Sequence, residues 1–99
     1  MQFHFGCPDL RELYFERDFH GGHSPEVVGA FRDCLQLVEA APNLEVLAVF
    51  RNVSALEGGR YAVELEGDAV LTISMREGNP TDVAIIQSLD RVRGGDHDR

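Results

Sequence analysis

The sequence predicts an α+β domain: an N-terminal strand, two helices, then a three-strand antiparallel meander. Three observations carry that prediction. The chain has 99 residues, enough for one domain with a single modest core. Gly58 to Leu89 holds three runs of apolar alternation separated by two polar, glycine-bearing breaks. Upstream, Ser24–Pro25–Glu26 opens a segment whose apolar residues recur at helical spacing.

Taken in order, Gln2–Gly6 alternates, with Phe3 and Phe5 on one side and Gln2 and His4 on the other, as a short strand does. Pro8 and Asp9 open a short helix, because proline is tolerated in a first turn. Leu10, Leu13 and Tyr14 form its apolar stripe, with Phe15 as an extra anchor. Residues Phe19–His23 connect to the second helix. There Ser24 is the N-cap, Pro25 the first helical residue, and Glu26 lies at the positive end of the dipole. Val27, Phe31, Leu35 and Val38 mark the buried face, and Arg32, Asp33, Gln36 and Glu39 the opposite one. Pro42 stops the helix. Asn43–Glu57 is apolar without a clean period, and Leu44–Phe50 is compatible with a strand or with an irregular segment pinned by its leucines and valines.

Parity constrains the first hairpin of the meander. A two-residue Gly67–Asp68 loop would put Tyr61 and Val63 on the face of Thr72 and Ser74. A three-residue loop, Glu66–Gly67–Asp68, pairs Leu65 with Ala69 and Val63 with Leu71, and keeps the larger apolar residues together. Glu77–Pro80 is the next turn. Thr81–Leu89 is apolar on both faces, as suits an interior strand. Residues 1–90 form the domain, and 91–99 read as a flexible tail.

Net charge is −8, and all nine basic residues are arginine, spread along the chain. Such a chain is repelled by nucleic acid and by anionic membrane at long range. No run is long and apolar enough for a membrane span, and MQFHFGCPD has no secretory pattern. Two cysteines, Cys7 and Cys34, do not make a disulfide framework, so a reduced, cytoplasmic setting is expected.

The order of elements resembles the RelE/ParE toxin superfamily, and within it the HigB-like plasmid maintenance killer toxins. AAPNLEVLAV is similar to that family's helix end and leucine-anchored segment. SALEGG is similar to its lead into the sheet, and RYAVELEGDAVLTISMREGNPTDVAIIQSL to its meander. The resemblance implies a small bacterial toxin made with an antitoxin. Many members cleave mRNA on the ribosome, using an aromatic–arginine pair at the second meander strand and an acidic–Tyr–His group ending the last. Here the first place holds Ala69 and Val70, and the second Gln87, Ser88 and Leu89. Cleavage by a 2′-OH needs a proton acceptor, a proton donor and positive charge for the phosphate, and these side chains supply almost none of it. The ParE branch also lacks the nuclease residues and acts by binding a protein.

The expected function is therefore toxin-like protein binding without mRNA cleavage, with no catalytic residue and no cofactor. The docking surface is expected on the sheet face bearing Arg60, Glu64, Val70, Thr72, Arg76, Ile86 and Ser88, with Val70 and Ile86 as its exposed apolar strip, or on a sheet edge. An antitoxin segment or a second copy of the chain is the expected partner. Two alternatives belong to other classes. One is an active ribosome-dependent nuclease relying on Arg60, Arg76, Arg91, Arg93 and His97. The other is an acidic nucleic-acid mimic. His4-x2-Cys7 and His20-x2-His23 have the pairwise spacing of a zinc site, but such pairs are common in short sequences, and the favoured reading is an outward strand residue, a strand-end thiol and two solvated loop histidines, with no metal. Glu64, Glu66 and Asp68 read as a solvated hairpin tip.

Overall fold

A capped helix and a registered hairpin are the two features that organise the chain. The computed structural model describes residues 1–76 and 82–91. Its elements are β1 (Gln2–Phe5), α1 (Pro8–Phe15), α2 (Pro25–Ala40), α3 (Leu44–Phe50), β2 (Val53–Ala55), a 3-10 turn (Glu57–Gly59), β3 (Arg60–Leu65), β4 (Ala69–Arg76) and β5 (Val83–Arg91). The α+β class holds. The turn expected at 77–80 and the tail from residue 92 lie outside the described residues, whereas Arg91 ends β5.

The five strands form one sheet in the order β1-β5-β4-β3-β2. β3, β4 and β5 pair antiparallel in succession, but β1 joins β5 in parallel, so the sheet is mixed. The three-residue loop behaves as the parity argument requires: Leu65 faces Ala69 and Val63 faces Leu71. Gly67 and Asp68 both take positive φ, 83° and 59°, which closes the loop.

α2 is the main helix of the core. Ser24 Oγ accepts from the Val27 N–H at 3.2 Å, and Pro25 occupies the first turn. Val27, Phe31, Leu35 and Val38 are all buried, joined by Val28, Ala30 and Cys34. No basic side chain occupies the last turn of α2. The Met1 ammonium takes that place, donating to the carbonyls of Val38 and Glu39 at 3.0 Å each and to that of Ala41. This satisfies carbonyls that a helix end leaves orphaned and sets a positive charge at the negative end of the dipole. Arg32, expected on the solvent face, donates instead to the carbonyls of Leu13 and Glu16 at 3.0 and 2.8 Å, tying α2 to the end of α1.

Leu44–Phe50 is neither strand nor irregular. Asn43 caps it, its Oδ1 accepting from the Val46 N–H at 2.9 Å, and a seven-residue helix follows. So short a helix turns few residues inward. Leu47 is buried and Leu44 and Val46 are half-buried, but Val49 and Phe50 are 77% and 64% exposed.

Candidate docking face

α1 and α2 pack on one face of the sheet, and the opposite face carries no helix among the described residues. Its side chains follow from the pairing register. At one end Glu64, Val70 and Asp90 lie side by side across β3, β4 and β5. The next row is Ala62, Thr72 and Ser88. The next is Arg60, Ser74 and Ile85, continued by His4 on β1. The last is Arg76, Val83 and Gln2. The face thus runs from a carboxylate end, through small and hydroxyl-bearing side chains, to an arginine end. Gln87 lies over the centre and donates to Ser74 Oγ at 2.8 Å.

Six of the seven residues expected on this face are there: Arg60, Glu64, Val70, Thr72, Arg76 and Ser88. Arg60, Glu64 and Arg76 are exposed, and Val70, Thr72 and Ser88 half-buried. Ile86 is not. It is 0% exposed, as is Ala84, and both belong to the core under the helices. The cause is a bulge. Ile73 pairs with Ile86 while Thr72 pairs with Ser88, so Gln87 is the extra residue and the alternation of β5 changes phase across it. Before the bulge the open face shows Val83 and Ile85; after it, Ser88 and Asp90. The apolar side chains of this face are therefore Val70 at the carboxylate end and Ile85 with Val83 toward the arginine end, with Thr72 and Ser88 between them. Ile86 and Leu89, both core residues in the structure, are three apart, which unbroken period two does not allow.

The relocated nuclease set does not assemble among the described residues. Arg60 and Arg76 share one end of the sheet, whereas Arg91 pairs with Ala69 at the other. Arg93 and His97 lie outside the described residues. Leu89 and Ala69 are core side chains. The zinc pairs do not converge either. His4 lines an open groove beside β1, Cys7 and His23 line a separate cavity of about 230 Å³ near the start of α1, and His20 is an exposed loop residue. No group of three or more His, Cys, Asp or Glu side chains among the described residues is placed to hold a metal ion. Burial in the core pushes the Cys34 thiol up to about 11, against a smaller downward pull from the Arg51 guanidinium. At neutral pH this thiol is protonated and enclosed, which is the opposite of what a nucleophile needs.

No helix among the described residues is long and apolar enough to cross a membrane. No family model, curated protein or solved structure matches the chain.

Proposed function

We propose that this chain is a toxin-like protein of the RelE/ParE type, HigB-like in pattern, that acts by binding a protein and not by cutting mRNA. The open sheet face is the docking surface, and an antitoxin segment is the partner. The observation that supports this reading is the order of side chains across the face. Its centre offers Ala62, Thr72, Ser74 and Ser88, which can pack and hydrogen-bond but cannot move a proton or neutralise a phosphate. Among the described residues its two arginines are matched by two carboxylates, Glu64 and Asp90, so these side chains offer RNA no net attraction. A peptide with small apolar residues at its centre, acidic toward Arg60 and Arg76 and basic toward Glu64 and Asp90, is complementary to it.

The test is co-expression with the product of the adjacent reading frame, followed by titration calorimetry. A stable complex, lost in Val70→Arg while the melting temperature holds, is the expected result. A complex indifferent to Val70→Arg overturns the assignment of the face. Growth arrest with codon-specific mRNA cuts, abolished by Arg76→Ala, overturns the non-nuclease reading.

A further inference from the structure

β1 forms one edge of the sheet, and its outer side is unpaired among the described residues. The Gly6 N–H donates to the Ile86 carbonyl at 2.8 Å, toward β5. Backbone groups alternate in direction along a strand, so the N–H and C=O groups of Phe3 and Phe5 point outward. Edges are usually guarded by lysine, proline or a bulge, and Gln2–Phe5 has none of these. Beside this edge runs an open groove of about 840 Å³ bearing Phe3, Phe5 and Phe15, with Arg11 and Glu39 on its walls. Phe15 is 62% exposed.

The groove has a polarity. Glu39 lies at its Met1 end, where the Glu39 carbonyl accepts from the Met1 ammonium. Arg11 lies at its Phe5 end: its guanidinium sits 5.4 Å from the centre of the Phe15 ring, and Phe15 is 6.1 Å from Phe5. A strand entering antiparallel, with the same wall charges, would therefore place an acid against Arg11 and a base against Glu39.

We propose that this occupant is a second copy of the chain, with the two β1 strands paired antiparallel about a two-fold axis through His4. Phe3 of each copy then exchanges both backbone hydrogen bonds with Phe5 of the other, which uses all the outward groups of both strands. On the helix side, Phe3 and Phe5 form cross-strand aromatic pairs flanked by Phe15. On the open side, the two His4 side chains stand directly opposite. Arg11 of each copy meets Glu39 of the other, and the two sheets become one. Because the pairing is isologous it closes at two copies. It uses the edge and not the open face, so it stands whether or not that face binds an antitoxin.

Sedimentation velocity on the full chain over a concentration series tests this. Dimers are expected. Arg11→Glu and Glu39→Arg should each weaken dimerisation at least about tenfold, since each change sets like charges together at two symmetric places. The double variant should restore it to within about threefold, because the pair is re-formed with its charges exchanged. His4→Lys, at an exposed position, should weaken it by setting two cations face to face. Far-UV circular dichroism checks that each variant is folded. A monomer at every concentration overturns the proposal. So does a dimer indifferent to both single reversals, or one that the double variant fails to restore. Open-ended polymers overturn it too, since they would mean β1 pairing with the opposite edge, β2.

Discussion

Replacing Gly67 by alanine measures how tightly the β3–β4 hairpin is seated under α2. Gly67 has φ +83°, and a Cβ built there would lie 2.8 Å from Val27 Cγ2. Two costs follow. A left-handed backbone costs an L-residue roughly 1–2 kcal/mol. Forcing a methyl into a filled site costs about 1–3 kcal/mol more. Val27 is buried in the first turn of α2, and its β-branched side chain has essentially one helical rotamer, so it has little room to give. The smaller entropy of the unfolded alanine chain offsets roughly 0.4–1 kcal/mol. A net loss of about 1–4.5 kcal/mol is expected on summing these contributions. Gly59 separates them, having φ +74° with nothing within 4 Å of its Cβ position. Gly59→Ala should therefore cost only about 1 kcal/mol, the backbone share. Urea unfolding followed by circular dichroism reads both, the chain having no tryptophan for fluorescence. Val27→Ala in the Gly67→Ala background should recover about 1 kcal/mol or more relative to additivity. Equal losses at Gly59 and Gly67, or an additive double variant, would refute the contact.

Three further outcomes are expected. Ile86→Ala should cost about 2–5 kcal/mol in the same urea assay because Ile86 is core, and an unchanged midpoint would return it to the open face. Arg32→Ala should lower stability by about 1–2 kcal/mol, through two lost hydrogen bonds to α1 carbonyls, and Arg32→Lys should recover only part, lacking the paired donors; thermal melts check this. The Cys34 thiol, held up to about 11 from an ordinary 9.0, ionises first in the unfolded chain. Its contribution is therefore complete below pH 9 and is lost as pH rises from there through the folded value, by on the order of 2 kcal/mol. Urea midpoints at pH 8 and 11, compared with Cys34→Ala, should show a steeper fall for the parent chain.

Most of the fold was legible because its signals are local. Ser24, Pro25 and the Val27–Phe31–Leu35–Val38 stripe define α2 within one segment. The register of β3 on β4 follows from a single short loop and from the need to bury Val63, Leu65 and Leu71 together. Leu44–Phe50 was not legible, although Asn43 is a good cap, because seven residues are too few for a helical period to separate from strand alternation. Arg32 gave no sign of its role, since the carbonyls it bonds belong to another helix.

The sequence by itself determined the α+β class, the Ser24 cap of α2 and the β3–β4 register, the last two set by residues within a few positions of one another. Tertiary structure alone decided three things: that β1 runs parallel to β5 at an edge, that a bulge at Gln87 sends Ile86 inward, and which side chains meet on the open face. The first joins the two ends of the chain, and the other two depend on the β4–β5 register, where one extra residue exchanges the two faces of everything beyond it. That is why Val70 kept its expected place on the open face while Ile86 turned inward and Ile85 took a place on that face.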